Sequence, residues 1–178
     1  MAMSLNLKYK KIIEILKNDG VGIIPTDTLY GLVGSTFSKK VINRIYKLKK
    51  RNKKKRFIIL ISSISDFKKF NVNISKEQAK ILSKFWPGKV SVILNGIAFR
   101  IPNKKSLIEI LKKTGPLVAP SANIEGKKPA ENINQAKKYF GNKVDFYISS
   151  GTLKSKPSAL ININKKVEIK VLRGTIKK

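Results

Sequence analysis

Val21-Gly22-Ile23-Ile24-Pro25-Thr26-Asp27-Thr28-Leu29-Tyr30-Gly31-Leu32 is the stretch that decides the fold. Val21–Ile24 is a short, continuous apolar run, the pattern of a strand buried on both faces. It runs straight into Thr26, Asp27 and Thr28, so several short polar groups gather at one strand end. In open α/β sheets that edge is where ligands bind. Thr26 and Asp27 are equally able to shape a turn and cap a following helix.

Working outward, Leu5–Asn18 carries Leu5, Tyr9, Ile12, Ile13 and Leu16 at helical spacing, and Asp19-Gly20 closes that helix. Ser38 is placed to cap a second helix with Val41, Ile42, Ile45 and Leu48 inward. Lys49–Arg56 (KKRNKKKR) follows, a basic run able to hold an anion or to meet nucleic acid. Phe57–Ile61 reads as a central strand. Ser75-Lys76-Glu77-Gln78 fits a capping box, opening a helix with Ala79, Ile81, Leu82 and Phe85. Val90–Leu94, Asn95-Gly96 and Ile97–Ile101 read as a tight hairpin, because Asn-Gly accepts the positive φ of a type I′ turn. Ser106-Leu107-Ile108-Glu109 is read as a second capping box. Leu117–Ala119 runs into Pro120-Ser121-Ala122-Asn123, and a helix over Ile133–Phe140 ends at Gly141. Phe146–Ile148, Ala159–Ile163 and Val167–Leu172 close the chain as strands. The expected architecture is one α/β domain over residues 1–178, core about 5–176, with a twisted mixed sheet flanked by helices and a basic concave groove.

Composition narrows the chemistry. The 178 residues include no His and no Cys. Imidazole bases, thiolate nucleophiles, disulfides and ordinary zinc sites are therefore excluded. No apolar run approaches the roughly 20 residues needed to span a membrane, and a cytoplasmic location is expected. The net charge is +29, from 39 basic against 10 acidic residues. Only five of the basic residues are Arg, and the abundance of Lys, Ile and Asn is what an AT-rich coding sequence would produce. A solvated lysine surface and a nucleic-acid partner both remain open.

Arg100 stands inside the apolar strand Ile97–Ile101 and shares a face with Ala98 rather than Phe99. An arginine there must be paired, reach a ligand or lie on an exposed edge strand. Ser121 has no His to activate it, so it is not read as a nucleophile. The chain has neither GxxxxGK[ST] nor GxGxxG.

Taken in order, these stretches resemble the threonylcarbamoyl-AMP synthase family of YrdC type, in its short, single-domain form. The matching pieces are Pro25–Leu32, Ile45–Arg51, Phe85-Trp86-Pro87-Gly88, Phe99-Arg100-Ile101-Pro102, Pro120-Ser121-Ala122-Asn123 and Leu172-Arg173-Gly174, spanning about Gly22 to Thr175. The resemblance implies that the family's Lys-x-Arg…Ser-x-Asn signature falls on Lys49, Arg51, Ser121 and Asn123, the catalytic set at the nucleotide. It implies further ATP contacts at Lys55 and Arg173, and a threonine pocket at Thr28, Arg100, Ala119 and Ser158, with Arg100 toward the substrate carboxylate. Implied with it are the substrates ATP, L-threonine and bicarbonate. Mg2+ would enter with ATP on the substrate phosphates, with no metal site in the protein. The product would pass to a downstream tRNA threonylcarbamoyl transferase that modifies ANN-decoding tRNAs. The chain departs from the family's usual pattern at Asn52, Lys55, Arg56, Leu60, Gly96 and Pro129. Two rival functions are a tRNA or double-stranded RNA-binding module and a relative of the same fold with different carbamoyl chemistry.

Overall fold

The computed structural model describes residues 2–176, with side chains from Tyr9 onward. In chain order the elements are α1 (Ala2–Lys17), β1 (Gly22–Pro25), β2 (Tyr30–Ser35), α2 (Lys39–Lys49) and β3 (Ile59–Leu60). A 3-10 helix at Ile64–Phe70 leads to α3 (Lys76–Phe85), β4 (Val90–Leu94), β5 (Ile97–Arg100), α4 (Lys105–Thr114) and β6 (Leu117–Val118). The chain then forms α5 (Ile133–Phe140), β7 (Phe146–Tyr147), β8 (Ala159–Ile163) and β9 (Ile169–Arg173).

The nine strands form one sheet in the order β7-β1-β2-β6-β3-β5-β4-β8-β9. Its pairing is mixed: β1–β7, β3–β5 and β4–β8 are parallel, and the other neighbours are antiparallel.

Strand alternation sorts the core onto two faces. Ile23, Leu32, Ile59, Val118, Phe99, Val92 and Ile161 face one side, with Val41 and Ile45 of α2, Phe67, Leu82 of α3 and Phe140 of α5. Ile24, Val33, Leu60 and Leu117 face the other, with Ile12 and Leu16 of α1 and Leu107, Ile110 and Leu111 of α4. The continuous apolar runs in the sequence are thus strands covered on both faces. Leu5, expected on the inner side of α1, lies outside the described side chains.

Local chemistry sets most boundaries as the sequence predicts. Ser38 Oγ accepts from Val41 N–H at 3.3 Å. The Ser75–Gln78 capping box is complete, with bonds of 3.0 and 3.2 Å. The hairpin turn has φ of 49° at Asn95 and 76° at Gly96. At the end of α1 the left-handed residue is Asp19, with φ 61°. Gly20 serves close packing instead, since a Cβ there would lie 2.2 Å from Ile15 Cγ2.

Three expectations are corrected. Pro25–Leu32 is a hairpin turn with no helix after it: Thr26 Oγ1 donates to Leu29 O at 2.7 Å and accepts from the amides of Thr28 and Leu29. Tyr30 therefore begins β2, which the sequence pattern does not announce because its Gly31 and Gly34 interrupt the apolar run. The Ser106 box does not form. α4 starts earlier, with Lys104 as an N-cap that makes no side-chain bond, while the Asp27 carboxylate takes the Asn103 amide at 2.9 Å. Finally, β5 is a central strand between β3 and β4, so the edge-strand alternative for Arg100 is removed.

Candidate functional site

Helices α1 and α4 cover only part of their face of the sheet. Beyond β3, over β5, β4 and β8, the same face is uncovered, and there it floors a cleft of about 470 Å³. The floor is Leu60, Ala98, Ile93 and Leu160, each one residue away from a core residue of the opposite face. The walls carry Arg51, Lys54, Arg56, Arg100 and Arg173, and among the described residues no Asp or Glu lines the cleft.

At one end, Arg100 is 5% exposed. Its Nη1 donates to Thr28 Oγ1 at 3.1 Å, and its Nη2 lies 3.1 Å from Asp27 Oδ1. Its Nε has no hydrogen-bond partner. Burial pulls the guanidinium's pKa down, Asp27 opposes that, and Arg173 adds to it. Arg173 sits between the cations: burial and the charge of Arg51 hold its own pKa below the ordinary arginine value. Arg173 donates from Nε and Nη2 to Ser158 O at 3.2 and 3.0 Å. Ser158 Oγ pairs with Ser91 Oγ at 2.9 Å, a buried contact the sequence does not reveal because Ser91 reads as one polar residue in a strand.

The residues expected at the site divide into two sets. Thr28, Arg51, Arg100, Ala119, Ser121, Ser158 and Arg173 all line the cleft. Lys49, Asn123 and Lys55 do not, and each departure has a cause. Lys49 is 1% exposed beneath the Ser121–Asn123 turn. Its ammonium donates to Ser121 O at 2.5 Å, Asn123 O at 2.6 Å and Asn123 Oδ1 at 3.2 Å. Asn123 is likewise spent inside its own loop. Its Oδ1 accepts from Ser121 Oγ and Lys49, and its Nδ2 donates to Ile124 O and Lys127 O. Lys55 turns outward to Glu125 at 2.8 Å. The i, i+2 spacing in Lys-x-Arg and Ser-x-Asn thus separates a cleft-facing residue from a buried one in each pair. Lys54 and Arg56, unforeseen, take the wall positions expected of Lys55.

The basic run is held in shape. Lys50 caps α2 with φ 49° and ψ 41°. Arg51 Nε donates to Lys55 O at 3.1 Å, and its guanidinium lies over the Phe57 ring at 5.6 Å. Glu125 fastens the run to the neighbouring loop through Asn52 N–H and Lys55, and those bonds hold its pKa below the usual carboxylate value.

Tyr30, fully buried, anchors the segment that brings Ser158 to the cleft. Its hydroxyl donates to Gly151 O at 2.7 Å and accepts from Ser150 N–H at 2.9 Å. Tyr30→Phe leaves both groups without that partner, a cost of about 1–2 kcal/mol. The expected result is a modestly lower melting temperature with faster proteolytic cutting within residues 150–157; an unchanged cutting rate would show that the segment is held elsewhere.

A central mixed sheet with an apolar-floored cleft walled by cations defines an α/β protein with a concave, positively charged face. The chain belongs to the Sua5–YciO–YrdC family, whose model, described as "Telomere recombination", matches residues 14–174. It is 31% identical to a putative threonylcarbamoyl-AMP synthase of Methanocaldococcus jannaschii, over 94% of this chain and 87% of that protein. Its fold is similar to that of Pyrococcus abyssi Sua5 complexed with L-threonine, with a TM-score of 0.83 at 24% identity. That likeness covers 94% of this chain but 54% of the Sua5 chain, so this chain spans about half of that protein's length. Escherichia coli YciO is similar in fold as well, with a TM-score of 0.82 at 21% identity over 93% of this chain and 87% of that one. Among the described residues no helix is long and apolar enough to cross a membrane.

Proposed function

We propose that this chain is an L-threonylcarbamoyladenylate synthase, a nucleotidyltransferase that joins L-threonine, bicarbonate and ATP. The observation that carries it is one cleft with two kinds of anion site: the buried Arg100 over an apolar floor, and a row of cations, Arg51, Lys54, Arg56 and Arg173, with no carboxylate among the lining residues. The names of relatives such as the Methanocaldococcus jannaschii protein support the same reading.

In this reading Arg100 receives the threonine carboxylate, with Thr28, Ala119 and Ser158 around the amino acid. The amine takes up bicarbonate and loses water to form a carbamate. A carbamate oxygen attacks the α-phosphorus of ATP, a mixed anhydride forms, and pyrophosphate leaves. The chain's part is positional and electrostatic. Arg51, Lys54, Arg56 and Arg173 bind the triphosphate and stabilise the charge that develops on pyrophosphate. Ser121 Oγ donates to Asn123 Oδ1, so it faces the cleft as an acceptor. Lys49 and Asn123 act from behind, holding the turn that carries Ser121.

Among the described residues no group of three or more acidic, His or Cys side chains could hold a metal ion. In this reading Mg2+ would enter on the phosphate oxygens and water, supplying charge neutralisation there. The product, a labile anhydride, is consumed by a tRNA-modifying transferase in this reading. ATP, L-threonine, bicarbonate and that transferase are the proposed partners.

The test is pyrophosphate release from ATP and bicarbonate, with and without L-threonine. Release that requires threonine is expected; release independent of it would sink the assignment. Arg51→Ala is expected to raise the KM for ATP about tenfold or more, the worth of one charge-assisted contact. Its melting temperature should stay within a few degrees of the wild type, and a normal KM would remove Arg51 from the nucleotide site. The net charge of +29 favours a second reading, direct RNA binding. It predicts steep salt dependence and no threonine-dependent consumption of ATP.

A further inference from the structure

Behind the wall of the cleft, out of its lining, lies a buried carboxylate. The Asp27 side chain is 5% exposed and sits behind Arg100. Its Oδ2 accepts from Asn103 N–H at 2.9 Å, which ties the β1–β2 turn to the turn after β5. Its Oδ1 faces Arg100 Nη2 at 3.1 Å as an ion pair but outside hydrogen-bond alignment, and Arg100 Nε makes no hydrogen bond. Asp27 also attracts the half-buried Lys104, whose own pKa burial lowers. Among the described residues, the other cations of the cleft, Arg51, Lys54, Arg56 and Arg173, make no ion pair with a carboxylate.

We propose that Asp27 is a positioning and specificity residue that decides which anion each end of the cleft takes, holding and half-neutralising Arg100 so that its end accepts a single carboxylate and rejects phosphates. This rests on the reading of the cleft as an amino-acid and nucleotide site, and it deepens it. A bare buried guanidinium next to Arg173 attracts a polyphosphate more strongly than a monoanion, because attraction grows with the ligand's charge. Paired with Asp27, Arg100 contributes a near-neutral dipole. Its planar fork then selects by shape and hydrogen bonding, and a carboxylate fits that fork. The polyphosphate is left to the unpaired cations at the other end. One sheet face thereby sorts two anionic substrates that would otherwise compete.

The experiment pairs Asp27→Asn with inorganic tripolyphosphate as competitor. Asparagine keeps an acceptor for the Asn103 amide and removes only the charge. In the wild type, tripolyphosphate should compete with ATP and leave the KM for L-threonine within about twofold. In D27N the Arg100 fork loses the partner that holds it in place, and the KM for threonine should rise about tenfold because the contact to its carboxylate is made in poorer geometry. Tripolyphosphate should then compete with threonine as well. A purely structural role would lower the melting temperature and activity without creating that competition, and this result overturns the proposal. Should D27N not fold, Asp27→Glu carries the test: it keeps the charge but displaces it, so the threonine KM rises while tripolyphosphate still competes with ATP alone. An unchanged threonine KM in D27E overturns the proposal. A wild type without threonine-dependent pyrophosphate release overturns both this inference and the function it rests on; an active wild type with a normal D27N overturns this inference only.

Discussion

Lys49→Met melts about 6–12 °C below the wild type and loses threonine-dependent pyrophosphate release. The loss follows from the loop, because the buried Lys49 ammonium lies under the Ser121–Asn123 turn and donates to three of its oxygens. Removing it leaves buried acceptors unpaired, at about 1–3 kcal/mol each. Relief from burying a charge offsets part of this. A net loss of about 3 kcal/mol corresponds to that melting shift in a chain of this size. Lys49 was expected at the triphosphate itself, where substitution would cost activity without stability; calorimetry separates the two. A native melting temperature in K49M would return Lys49 to the ligand.

The same site gives a pH dependence with an unusual sign. Burial, reinforced by the charge of Arg51, brings the Lys49 pKa from 10.5 to about 7, with Glu125 opposing. Between those values the unfolded chain binds more protons than the folded one, so this group's contribution to stability rises with pH. The gap in melting temperature between wild type and K49M should be smallest near pH 6 and widen toward pH 9. A gap that narrows over that interval would contradict the placement of the proton.

Arg100→Lys raises the KM for L-threonine about thirtyfold or more and leaves the KM for ATP within about threefold. Lysine retains a positive charge for Asp27 but has no planar fork to bridge Thr28, Asp27 and a substrate carboxylate together. The lost contact is a charge-assisted one, of about 1.5–3 kcal/mol. Arg100→Ala is the poorer probe: it strands a buried carboxylate, and breaking a buried pair from one side costs about 3–5 kcal/mol. Folding and binding would then fail together. Equal effects of R100K on both substrates would mean that the two ends of the cleft are not separate sites.

Much of the site was legible because it hangs on short polar stretches at strand ends. Arg100 and Ser121 stand out from the residues around them, and the alternation of Ala98, Phe99 and Arg100 gives the direction of the arginine; Thr28 and Arg173 entered as site residues only through the family resemblance. Lys54 and Arg56 were not legible. In a run of seven cations, composition cannot say which side chains turn inward, and Glu125, distant in sequence, takes Lys55 out of the wall. Ser91 and Asp27 were hidden for a similar reason, since each acts through a partner more than sixty residues away.

The sequence by itself determined the local chemistry: helix caps at Ser38 and Ser75, the Asn95-Gly96 hairpin, buried strands from apolar runs, and the absence of His and Cys chemistry. Those features depend on neighbours within a few residues, where backbone geometry and side-chain type leave few choices. Only the tertiary structure decided which face of the sheet stays uncovered, that Lys49 and Asn123 stand behind the cleft while Arg51 and Ser121 face it, and that Asp27 lies against Arg100. These follow from packing helices on two faces of one sheet. Burial sets the cost of every charge, and that cost is settled only when distant segments meet.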